Sequence, residues 1–155
     1  PPDQTEAPIT TYFIRGLEGT VTDADGQPSH HLQSDLLLHY ADNDLVELQQ
    51  PTLTVFLPQG EQWQVEAAQG SMQGENNQIN LEGTVILTHH SESNPFKVET
   101  DRLQLYPDTR YGESDTLVTI SAPSGRVSGV GMRLYGDERR LLLLSEVQGH
   151  YESTR

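Results

Sequence analysis

Polar and apolar residues alternate along much of this chain. Trp63, Val65 and Ala67 are interleaved with Gln62, Gln64 and Glu66. Ile79, Leu81, Val85 and Leu87 stand among Asn80, Glu82, Thr84 and Thr88, and Leu103 and Leu105 among Arg102 and Gln104. Val130, Met132 and Leu134 follow the same rule. A period of two is that of a strand with one buried and one wet face. No long stretch carries the helical pattern. Turn-forming clusters separate the runs: Asp25 to Pro28, Asp42 to Asp44, Pro58 to Gly60, Gly74 to Asn77, Ser93 to Pro95, Pro107-Asp108, Pro123 to Gly125 and Gly136 to Glu138. Gly, Pro, Asn and Asp supply the dihedral angles that tight turns demand. Short amphipathic strands with regular turns predict an all-β antiparallel meander, sandwich or barrel.

The pattern also repeats. Ser34 to Leu53, Gln69 to Val85, Thr100 to Leu117 and Val130 to Val147 each read as strand, polar turn, strand. Their second strands share a short tag: Pro51-Thr52-Leu53, Gly83-Thr84-Val85, Asp115-Thr116-Leu117 and Glu146-Val147. Thr52, Thr84 and Thr116 are 32 residues apart, and Val147 lies 30 beyond Leu117. A fixed period of this size marks stacked hairpins, none of which buries its apolar face alone.

Composition narrows the function classes. The chain has 155 residues, enough for one domain with a real core. Mean hydropathy is -0.58, which predicts a thin core with one or two apolar residues per strand pair. The net charge of -14, with Lys97 and eight scattered Arg, is wrong for gripping a phosphate backbone or an anionic membrane surface. There is no cysteine, so disulfides and thiolate metal sites are out, and no apolar run is long enough to span a bilayer. The opening Pro1 to Pro8 is Pro-rich and polar and reads as a linker below an anchor or signal.

Catalytic chemistry is not visible. His30 and His31, like His89 and His90, are adjacent and point to opposite faces of a strand, so neither pair can chelate by itself. No nucleophile elbow occurs, and the carboxylates Glu61, Glu66 and Glu82 fall on polar faces without a reason for burial. Gly125, Gly129 and Gly131 precede no helix; Gly129 and Gly131 suit a bulge or bend in a curved sheet. No enzyme, metal or cofactor is expected.

Several segments, taken in order, resemble one family. They are Leu32-Gln33-Ser34-Asp35-Leu36-Leu37-Leu38-His39-Tyr40, Pro51-Thr52-Leu53, Trp63-Gln64-Val65-Glu66-Ala67, Leu81-Glu82-Gly83-Thr84-Val85, Thr100-Asp101-Arg102-Leu103, Gly129-Val130-Gly131-Met132 and Val147-Gln148-Gly149-His150-Tyr151. The chain resembles the LptC family of lipopolysaccharide export proteins over residues 9–152. The resemblance implies a β-jellyroll of two facing antiparallel sheets built from repeated hairpins and open at the edges. It implies a linker over 1–8, a periplasmic domain over 9–152 and a tail over 153–155. It implies a single-pass anchor upstream, placing the domain at the periplasmic face of a Gram-negative inner membrane. It further implies a conduit that takes lipopolysaccharide from the LptBFG transporter through an N-terminal edge on LptF, and passes it to LptA through the C-terminal edge strand.

Parity proposes the groove-lining residues: Leu36, Leu38, Leu48, Val55, Trp63, Val65, Ile79, Leu81, Val85, Leu87, Leu103, Leu105, Met132, Leu134, Leu141, Leu143, Val147 and Tyr151. Ordinary sandwich core uses the same residue types. Leu142 and Leu144 are then apolar and outward, and with Leu141 and Tyr151 they make the expected partner edge. Two other readings stay open: a soluble bridge protein of the LptA type, distinguished by the upstream sequence, and a carbohydrate-binding β-module, which would need exposed aromatics.

Overall fold

The computed structural model describes residues 10–74 and 77–151. The expected linker over 1–8 and tail over 153–155 lie outside the described residues. Eleven strands run β1 (Thr10–Thr22), β2 (Pro28–Tyr40), β3 (Leu45–Gln49), β4 (Thr52–Phe56), β5 (Gln62–Glu66), β6 (Gln69–Gln73), β7 (Ile79–His90), β8 (Phe96–Tyr106), β9 (Tyr111–Ala122), β10 (Gly125–Tyr135) and β11 (Arg140–Tyr151).

All pairings are antiparallel. β3 and β4 together make one broken strand beside β2, and β5 and β6 make the next, beside β7. β1 flanks β2 on its other side, and β7 to β11 pair in sequence order. The result is an up-and-down meander, hydrogen-bonded as one continuous sheet with β1 and β11 at its two edges. The turn clusters expected from Gly, Pro, Asn and Asp fall at the strand connections. Gly74 to Asn77 does so too, although residues 75 and 76 lie outside the described residues.

The sheet is folded over along a line of ladder irregularities. Register shifts occur in β7 between Glu82 and Val85, between Thr100 and Gln104 of β8 against β9, between Val130 and Met132 of β10, and between Gln148 and Ser145 of β11. Positive φ values sit on that line at Gln50, Gly83, Thr84, Gly131 and Glu146. Bulges sharpen bend and twist, so a row of them creases the sheet. The repeated sequence tag marks this crease on alternate strands.

Folding brings one half of the sheet over the other. The β8–β9 and β10–β11 turns close onto the β4–β5 turn: Arg110 Nε donates to the Phe56 carbonyl at 3.1 Å, and Arg139 reaches Glu61 at 3.4 Å. The enclosed face is mostly apolar, with His89, Thr100 and Ser114 buried among its side chains. Leu53, Val55, Trp63, Val65, Ile79, Leu81, Val85, Leu87, Val98, Leu103, Leu105, Val118, Met132 and Leu134 form one buried cluster. The core is therefore thicker than the hydropathy average suggested. β7 alone contributes Ile79, Leu81, Val85 and Leu87; the low average comes from turns and the outer face.

The crease also corrects the parity reading in two strands. Leu36 and Leu38 are half-buried, and Leu37 takes the inner position, paired with buried Leu48. β2 changes partner from β4 to β3 between Gln33 and Leu36, which resets which side chains point inward. Ser34 fills that corner, its hydroxyl within 3.0 Å of the Leu36 carbonyl and 2.8 Å of the Gln49 carbonyl. In β11 an extra residue at the Glu146 bulge separates Val147 from the face of Leu141 and Leu143, and Val147 is 56% exposed.

Candidate functional site

The inner face is the feature that composition does not require of a small acidic domain. Along its middle it is packed shut: Leu53, Val55, Val85, Leu105, Val118 and Met132 are wholly inaccessible. Toward one end the layers part. A cavity of about 230 Å³ lies there between the β10–β11 hairpin tip and the inner face of β5, β7, β8 and β9. Trp63, Phe96, Ile120, Leu134 and Leu141 supply its apolar wall; His89, Arg139 and Arg140 stand at its rim.

Of the groove residues proposed from parity, Leu48, Val55, Trp63, Val65, Ile79, Leu81, Val85, Leu87, Leu103, Leu105, Met132 and Leu134 are buried. Leu141 and Leu143 are half-buried and pack against that cluster. Leu36 and Leu38 are half-buried on β2, and Val147 is exposed on β11. Tyr151 pairs with Gly125 at the end of β11, but its side chain lies outside the described residues. Leu142 and Leu144 are exposed, 39% and 52% respectively, as the outward parity required.

The sequence reading missed the polar rim. Glu61 follows the Pro58–Gly60 turn and enters β5 with its carboxylate turned toward β7. The Ser91 hydroxyl donates to its Oε2 at 2.7 Å, and His89 Nε2 lies 3.3 Å from its Oε1. The Ser91 hydrogen bond holds the Glu61 carboxyl below its usual value, against the opposing pull of desolvation; Arg139 and His89 add to the lowering. His89 Nδ1 lies 2.9 Å from the Asn94 carbonyl, which can only accept, so Nδ1 carries the proton. The His89 ring also rests on Phe96, with centroids 4.6 Å apart. No spacing rule joins Glu61, His89 and Arg139 along the chain; β5–β7 pairing places Glu61 beside His89, and the fold-over brings Arg139 to them.

The edges are the second feature. β1 has Tyr12, Phe13, Ile14 and Val21 exposed, and β11 has Leu142, Leu144 and Val147 exposed. Each edge strand presents a row of backbone groups that no strand of the described chain takes up. Among the described residues no cluster of His, Cys, Asp or Glu could hold a metal ion, and no helix is long and apolar enough to cross a membrane.

Comparison with known families decides what this architecture belongs to. The family model described as "Lipopolysaccharide-assembly, LptC-related" matches residues 2–152. The chain belongs to the LptC family. A comparison with curated proteins found no match. LptC proteins are inner-membrane-associated periplasmic proteins of Gram-negative bacteria, and membership ties this chain to lipopolysaccharide transport and to the Lpt machinery. The family is one of transport proteins.

Proposed function

We propose that this domain is a passive conduit. It receives lipopolysaccharide from the LptBFG transporter and passes it to LptA, with acyl chains shielded between the two layers of the folded sheet. The observation that carries the reading is the largely apolar cavity between the β10–β11 tip and the inner face, whose Trp63 and Leu134 belong also to the apolar cluster that runs from β4 to β10. An acyl chain gains about 0.8 kcal/mol for each methylene removed from water, so such a slot holds lipid without specific polar contacts. The inner face is closed along its middle, so lipid enters by parting the layers at the cavity end.

The edges supply directionality. β1 is assigned to LptF and β11 to LptA, each by strand addition, with backbone hydrogen bonds giving affinity and the exposed apolar side chains giving fit. Neither contact requires chemistry from this chain, and the transporter's ATPase supplies the work.

Photo-cross-linkers placed singly at Phe13 on β1 and at Gln148 on β11, in the complex reconstituted with LptBFG and LptA, test the assignment. The expected adducts are LptF from Phe13 and LptA from Gln148. LptA adducts from Phe13, or none from Gln148, overturn it.

A further inference from the structure

We infer that Glu61, His89 and Arg139 form a latch that holds the β10–β11 hairpin tip over the apolar cavity, and that releasing it admits lipid; the second half rests on the conduit reading. The tip, residues 134–141, stays paired to its own half through Leu134–Gly112, Tyr135–Tyr111 and the Gly136 amide on the Arg110 carbonyl at 2.8 Å, and with Trp63, Phe96 and Ile120 it lines the cavity. Its apolar hold on the core is Leu134, buried in the cluster, and half-buried Leu141; half-buried Tyr135 packs instead on Tyr111 of its own half, with centroids 5.2 Å apart. Close approach is possible because Gly136 lacks a side chain: a Cβ there would lie 2.9 Å from Leu57 Cδ2.

The polar hold converges on one carboxylate. Glu61 accepts from the Ser91 hydroxyl and pairs with Arg139 Nη2, and His89 Nε2 joins them as a donor in the doubly protonated ring, since Nδ1 already donates to Asn94; the carboxylate so joins the β4–β5 turn, the end of β7 and the tip. Arg139 also donates to Gln59 Oε1 on the same turn. The neighbouring tip charges are engaged elsewhere: Asp137 with Arg110 at 3.3 Å, and Glu138 with Arg140 at 3.3 Å, while Arg140 also covers the Tyr135 ring. Arg139 is thus the tip's charge that crosses to the opposite layer.

The exposures make this a latch and not a fixed strut. The Glu61 and His89 side chains are 12% and 5% exposed, so water competes poorly for them. Arg139 is 45% exposed, so an incoming anionic head group can reach its guanidinium. Taking Arg139 from Glu61 would free the tip where the apolar wall begins.

The test is amide hydrogen exchange of the full chain carrying Glu61→Gln, Arg139→Gln or both. Each single variant is expected to speed exchange over 134–141 by at least about threefold, with β7 to β9 unchanged and the double variant no faster than either single. Unchanged exchange at the tip, additive effects, or faster exchange spread through β7 to β9 each overturn the latch. A photo-cross-linker at Leu141, offered lipopolysaccharide micelles, is expected to label faster in Glu61→Gln than in the parent. Equal labelling in both, with a loosened tip, overturns the link to lipid entry. A loosened tip with no labelling in any variant leaves the latch standing and sinks the conduit reading.

Discussion

The Thr100 hydroxyl lies 2.9 Å from the carbonyl oxygen of Leu117. That carbonyl sits where β8 and β9 are out of register, so the ladder supplies no regular partner. The hydroxyls of Ser114 and Thr116 lie 2.9 and 2.8 Å from the same Thr100 oxygen, forming a small polar knot in the crease. Thr100→Val keeps the shape and leaves buried polar groups unsatisfied. The expected cost is about 1–3 kcal/mol, read from the midpoint of urea unfolding with an unchanged slope.

Trp63 is 1% exposed and forms part of both the core and the cavity wall. Trp63→Ala is expected to lower stability by about 3–5 kcal/mol. Leu117, 59% exposed on the outer face, is the matched control, and Leu117→Ala is expected to stay within about 0.5 kcal/mol of the parent. Equal losses in the two variants would contradict the assignment of inner and outer faces.

Gly131 has φ of +83°, and a Cβ there would meet Leu144 Cδ1 at 3.0 Å and Leu144 Cβ at 3.2 Å. Gly26 has φ of +81° in open space. Gly131→Ala therefore carries both backbone strain and a clash, whereas Gly26→Ala carries strain alone. Thermal unfolding is expected to show the larger loss at Gly131, by about 1 kcal/mol or more beyond Gly26.

The Ser91 hydrogen bond, with Arg139 and His89, sets the sign of a pH effect. The Glu61 carboxyl titrates below its unfolded value of 4.5. Its contribution to stability is therefore fully present above that value and is lost as pH falls through the lower, folded one. Unfolding measured in that acid window is expected to show a shallower pH dependence for Glu61→Gln than for the parent. Identical slopes would contradict the carboxylate's role.

Much of the fold was legible because each level of the sequence agreed with the next. The alternation in β5, β7 and β8 matches buried Trp63, Val65, Ile79, Leu81, Leu87, Leu103 and Leu105, and turn chemistry marked the connections. Parity failed where the ladder is irregular. A one-residue insertion moves every later side chain to the other face, as Val147 in β11 demonstrates, while Leu37 is the buried one of its run where β2 passes from β4 to β3. The tags around Thr52, Thr84 and Thr116, which recur in the second strand of each repeat, fall on the crease. The Glu61, His89 and Arg139 cluster had no local signal, because Glu61 and His89 meet through β5–β7 pairing and Arg139 joins them only after one half of the sheet lies over the other.

Leu141, Leu142 and Leu143 are consecutive residues of identical chemistry, and only their direction differs: the first and third pack against the core cluster while the second is exposed. A photo-cross-linker at each position, in the domain offered lipopolysaccharide, tests the conduit account most directly. Labelling at Leu141 and Leu143 with Leu142 silent is the predicted result. Labelling strongest at Leu142, or at none of the three, would contradict it.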